Sequence, residues 1–176
     1  MKNTLFLIGI VIICASCEKV DQLSQFEMEF KESFTIEAGT PLDLPFTLAT
    51  PEINTDYQSV YEQYDTRADR IEEINLKEIE FTISSPSSGT FNFLESVSMS
   101  ISSEGEEAQS IAEKTDIPND QSTALSLETS EVNLKDYLSV DRFTLSASTV
   151  CDELLTEDYT IDVRCIFFVD ARVLGQ

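Results

Sequence analysis

The chain has 176 residues, 33 of them Asp or Glu against 11 Lys or Arg, giving a formal net charge of −22 at pH 7, and it has no histidine. That charge excludes a nucleic-acid binder, which must neutralise phosphates, and disfavours docking onto anionic headgroups; it favours a solvated, self-repelling surface. Without histidine there is no Ser-His-Asp or Cys-His arrangement, no usual zinc site, and none of the commonest general base. A chain of this size makes one domain that buries roughly 70% of its unfolded surface.

The first stretch reads as an address. Lys2 supplies a positive charge, and Leu5 to Ile13 is an unbroken run of apolar residues and Gly. The run has the length of a signal-peptide core and falls short of the roughly 20 residues a membrane-spanning helix needs. Ala15-Ser16 place two small side chains directly before Cys17, where a peptidase must take the chain in extended form. Residues 1–17 resemble the type II signal peptide of bacterial lipoproteins, in particular the envelope lipoproteins of Bacteroidota. They depart from the family pattern at Cys14, where Leu or another aliphatic residue is preferred. The resemblance implies a signal peptide over 1–16 and a diacylglycerol on the thiol of Cys17. It also implies a fatty acyl chain such as palmitate on the new amino terminus. The protein would then be lipid-anchored at the outer membrane, on its periplasmic or cell-surface face. Buried lipid contributes ~0.8 kcal/mol per CH₂, so two or three acyl chains hold where one does not. The alternative is an ordinary secretory signal cut near Ala15 or Ser16, leaving Cys17 a plain residue.

Residues 17–25 read as a lipidated, hydrophilic tether. Glu18, Lys19 and Asp21 partly resemble the charged surface-export patch of the same lipoproteins. From residue 26 to 176 the pattern is that of one domain. Phe26, Met28 and Phe30 share a parity with Phe34 and Ile36, but Glu32 falls on the same face, so a bulge is expected at Lys31 to Ser33. Leu42, Leu44, Phe46 and Leu48 alternate around Pro45, which marks an edge strand. Tyr57, Val60, Tyr61, Tyr64, Ala68 and Ile71 recur at helical spacing, predicting an amphipathic helix over 55–73, with Thr55 and Gln58 as a capping box.

Alternation returns from Lys77. Ile79, Phe81 and Ile83 predict one strand; Phe91, Phe93, Val97, Met99 and Ile101 predict another, with a corner near the off-parity Leu94. Short strands follow around Ile111 and over Leu125 and Leu127. A single helical turn is expected at Val132 to Leu138, then a strand through Phe143, Leu145 and Ala147. The last strand holds Tyr159, Ile161, Val163, Cys165, Phe167 and Val169 on one parity, with Ile166 and Phe168 making its later half apolar on both faces. About eight strands at this spacing predict an all-β fold: an Ig-like antiparallel β-sandwich with one inserted amphipathic α-helix.

With Cys14 removed and Cys17 acylated, Cys151 and Cys165 remain. A disulfide between them is chemically allowed outside the cytoplasm. Placed on neighbouring strands of one hairpin but out of register, they read as free thiols. Asp116, Asn119 and Asp120 offer oxygen ligands for calcium, but their spacing matches no ion-binding loop motif and reads as a turn, so no metal and no cofactor is expected. Among 33 acidic residues any carboxylate pair chosen for a hydrolase is uninformative. The sequence thus reads as a non-catalytic envelope protein that binds or scaffolds. Its partners would be the membrane, through the lipid, and an outer-membrane protein complex or a glycan. The alternative is a carbohydrate-binding accessory of a surface glycan-uptake system. Tyr57, Tyr61 and Tyr64 are its candidate platform, and the lack of Trp counts against it.

Overall fold

The computed structural model describes residues 25–172. The expected signal peptide, Cys17 and the tether up to residue 24 lie outside the described residues. Among the described residues ten strands occur: β1 (Gln25–Ile36), β2 (Phe46–Ala49), β3 (Ile53–Asn54), β4 (Ile71–Ser85) and β5 (Leu94–Ser103), then β6 (Glu106–Lys114), β7 (Ala124–Ser126), β8 (Glu128–Thr129), β9 (Arg142–Cys151) and β10 (Tyr159–Ala171). They form two antiparallel sheets, one ordered β1-β10-β4-β7 and the other β2-β9-β5-β6-β8, with β3 also on β9. This is the all-β sandwich with an inserted helix. The strands in excess of eight are the two-residue β3 and β8.

The chain winds as a long hairpin folded about the β5–β6 turn. Outward from that turn β4 pairs β7, β2 pairs β9 and β1 pairs β10. Rolling the hairpin then brings β10 against β4 and β9 against β5, which is the winding of a jelly roll. Cys151 and Cys165 therefore sit on strands of different sheets rather than in one hairpin, and both are buried free thiols.

β10 is the spine of its sheet, paired on both sides. Its inward residues Ile161, Val163, Cys165, Phe167 and Val169 are all buried, and so is Ile166 on the opposite face. Arg164 roofs that outer face, reaching Glu29 on β1 and Glu78 on β4, while Lys77 reaches across to Glu27. The facing sheet contributes Val97, Met99, Ile101, Phe143 and Leu145 to the same core. Full burial of each such side chain stabilises by about 1.5–3 kcal/mol relative to exposure.

The bulge expected in β1 is absent. β1 stays in register with β10 along its whole length, and Glu32 takes an inward-parity position, half-buried at the sheet edge. An edge has room for a carboxylate to reach water, so no kink is needed. The bulges lie instead in β4, where the register against β10 skips Glu72, Lys77 and Ser84. Each extra residue flips the parity. That is why Ile71, Ile74 and Leu76, then Ile79, Phe81 and Ile83, all face inward.

The helix is also shorter than expected, covering only Tyr57–Gln63. Asp65 closes it in the left-handed region at φ 53°, and Thr66 donates its N–H back to the Tyr61 carbonyl. The capping box does not form. Thr55 gives its hydroxyl to the Val140 carbonyl, and Gln58 donates to the Tyr57 hydroxyl. Asp56 precedes the helix without a side-chain cap. After a short 3₁₀ turn, Ala68–Arg70, the chain enters β4. No helix among the described residues is long and apolar enough to cross a membrane.

Candidate functional site

The tyrosine stripe divides by depth. Tyr61 is 1% exposed and packs edge-on against Phe26 and Tyr57, with its hydroxyl 3.4 Å from Ser139 Oγ. Burial pushes its phenol up from the ordinary tyrosine value. Tyr57 is half-buried. Tyr64 is 47% exposed, but one face of its ring lies on Phe26. The three rings therefore close one end of the sandwich rather than share an open surface.

A different feature lies where β1 ends and the chain turns toward β2. β1 and β2 are the edge strands of the two sheets, and they lie side by side there. The end of β1, the turn after it and β2 line a groove of about 260 Å³, with Thr35, Glu37, Thr40, Pro41, Phe46 and Leu48 in its walls. Leu42 and Leu44, expected to point inward, are 39% and 59% exposed beside it. The cause is local. Asp43 adopts φ 56° and donates its N–H to the Cys151 carbonyl, so the chain bends before β2 and the alternation of a strand is lost. The only sequence signal for this groove is that same Leu42–Leu48 alternation, which reads equally well as core.

The outer face of the β2-β9-β5-β6 sheet carries hydroxyls. Ser98 pairs with Ser148, Ser100 with Ser146 and Ser102 with Thr144. Every second residue of β5 from Ser96 to Ser102 is Ser, a signal that reading only the apolar parity passes over. A smaller polar hollow of about 100 Å³ lies at one end, with Thr90, Asn92, Glu153, Glu157 and Tyr159 in its walls. Desolvation, then Glu157 and Glu153, raise the Tyr159 phenol there.

The Asp116–Asp120 loop is a turn. Asp116 sits at φ 51°, and Asp120 accepts the Ser122 N–H at 3.0 Å. No cluster of three His, Cys, Asp or Glu suited to a metal occurs among the described residues. The two thiols are held protonated by burial, Cys151 pushed up to about 11 and Cys165 to about 12. A thiolate is the reactive form, so neither is primed as a nucleophile.

No protein-family model and no curated protein matches the chain. Among solved structures it is distantly similar to a chain of Desmodium yellow mottle tymovirus, at 9% identity over 86% of this chain and 91% of that one, with a TM-score of 0.24. It is similar also to a chain of turnip yellow mosaic virus, at 12% identity over 86% of this chain and 85% of that one, with a TM-score of 0.28. Overlaps this loose say nothing of role.

Proposed function

We propose that the protein is a non-catalytic, lipid-anchored component of the cell envelope, held at the outer membrane through Cys17, that binds or scaffolds an envelope partner. The stretch Leu5 to Cys17 carries this reading. The start of β1 at Gln25 is in keeping with it. The eight peptide steps from Cys17 to Gln25 reach at most roughly 28 Å at roughly 3.5 Å each. On this reading the domain stands close to the bilayer, with β1 as the strand nearest the anchor along the chain. The absence of histidine and the protonated state of both buried thiols favour binding over catalysis. A carbohydrate platform has less support, because only Tyr64 offers much of its ring to solvent.

The test is fractionation of cells expressing the intact chain or Cys17→Ser. The intact protein should sediment with membranes and carry a lipid mass on its first residue. Cys17→Ser should lack the lipid mass and accumulate at the larger precursor size with its signal peptide attached. A Cys17→Ser protein that stays with the membranes at the processed size would defeat the proposal.

A further inference from the structure

We propose that the end of the sandwich opposite Gln25, where loops 37–45 and 152–158 meet, is the docking surface for a partner protein that offers a bulky apolar side chain flanked by Lys or Arg. This gives the binding role proposed above a surface, and it rests on that reading only for the length of the tether.

The two loops come from distant parts of the chain and are sewn together. Gly39 donates its N–H to the Leu155 carbonyl, Asp43 to the Cys151 carbonyl and Ala38 to Asp158 Oδ1. The ends of β1, β4 and β9 meet the starts of β10 and β5 at this end, since Ile36 pairs with Tyr159, Ser85 with Thr160 and Cys151 with Leu94. Among the described residues four large apolar side chains stand exposed, and three of them, Leu42, Leu44 and Leu154, are on these loops. Leucines scattered singly over a surface need no explanation, but three on two joined loops form a patch. Beside Leu42 and Leu44 lies the groove of about 260 Å³, walled by Pro41, Phe46 and Leu48 with Glu37 and two threonines. It has room for one leucine or phenylalanine side chain. An apolar anchor seated in a hollow within a polar rim is the arrangement that concentrates binding energy.

The charges select the partner. The two loops carry Glu37, Asp43, Asp152, Glu153, Glu157 and Asp158 and no Lys or Arg. None of these carboxylates takes part in the ion pairs of the described residues. A basic surface is therefore attracted and oriented at this end, and an acidic one is repelled. The same repulsion opposes a second copy of this chain, which brings the same acidic loops, and it opposes anionic lipid headgroups. The tether does not cover the patch either. Twelve residues of β1 put Ile36 about 36 Å from Gln25, at roughly 3.3 Å per step. The steps from Cys17 to Gln25 reach at most roughly 28 Å.

The test uses the full chain in phosphatidylcholine nanodiscs, with empty nanodiscs as the blank, and a fluorescent peptide whose central Leu-Phe pair has two lysines on each side. Anisotropy at physiological salt should show saturable binding above the blank. Replacing Leu-Phe in the peptide by Ser-Ser keeps its charge and should weaken binding at least about tenfold, since burying even one such side chain is worth that factor. Leu44→Ser combined with Leu154→Ser should weaken it by a similar factor. Both side chains are exposed, so the circular dichroism spectrum should not change. Glu153→Lys with Glu157→Lys should weaken binding more than Glu104→Lys with Glu106→Lys, the same change of charge at the far end of β5. Equal binding of the Ser-Ser peptide, or equal losses from the two charge reversals, would reduce the effect to net charge and overturn the proposal. So would the absence of saturation, or a leucine variant that binds like the wild type. Dimerisation without peptide that the leucine variant abolishes would make a second copy the occupant, and binding to anionic vesicles that it abolishes would make the occupant a membrane; either overturns the proposal. Loss of binding by a lipidated chain counts against this surface alone, whereas binding by a chain that fails the fractionation test supports the surface and counts against the anchor.

Discussion

Tyr64 lies flat on Phe26, their ring centroids 4.1 Å apart and their planes within 9°. The residue that follows the helix thus caps the first inward residue of β1, while Tyr61, within the helix, fills the space beneath. The two should respond differently to truncation. Tyr64→Ala should cost about 1 kcal/mol, the range of a stacked pair beyond its burial. Tyr61→Ala should cost about 3–5 kcal/mol, because it leaves a cavity in the core. Urea denaturation of both variants measures the contrast, and equal losses would contradict the division.

The carboxyl of Glu29 is held below the ordinary glutamate range, chiefly by its hydrogen bond from Arg164 and then by Lys31. A depressed folded value means the charged form favours the fold. The stabilisation is present above the unfolded glutamate value and is lost as pH falls through the folded one. Arg164→Gln should move the Glu29 carboxyl titration up toward the ordinary range, with Lys31 still holding it down, and shrink this acid-side loss. Because Glu29 is exposed, added salt should weaken the effect in the wild-type chain.

Cys151 and Cys165 should resist thiol reagents at pH 8 in the folded protein, since burial disfavours both thiolates. Mass spectrometry of labelled peptides should find both modified together once urea passes the unfolding midpoint. Labelling of either in the native state would contradict their burial, and a bond between them would contradict their being free thiols.

Gly89 is buried where side chains close in. A Cβ there would meet Tyr159 Cε1 at 2.8 Å, Ile83 Cγ2 at 2.9 Å and the Pro86 carbonyl at 3.0 Å. Gly89→Ala should destabilise by about 1–3 kcal/mol, the usual cost of overpacking. Thermal melts compare it with the wild type, and an unchanged midpoint would mean that this loop yields freely.

Much of the sandwich is legible by parity alone. β5, β9 and β10 keep their apolar residues on one face with few interruptions, and those residues are the core. β4 is where the pattern misleads. Ile71, its first residue, continues the helical spacing of Tyr64 and Ala68, which carries the predicted helix into a strand. Leu42 and Leu44 mislead in the opposite sense, since an alternating sequence continues through a bend that has left the pleat. Which strand meets which is not written in alternation at all. It follows from the rolled hairpin, whose pairings join residues far apart in the chain.

The position of β10 sets an order of events during synthesis. Gln25 opens β1 but pairs with Asp170, and β4 takes its partner from the same late strand. Until the last strand leaves the ribosome, β1 and β4 have no neighbour between them, and their half of the sandwich cannot close. That sheet can therefore be completed only once its keystone has arrived.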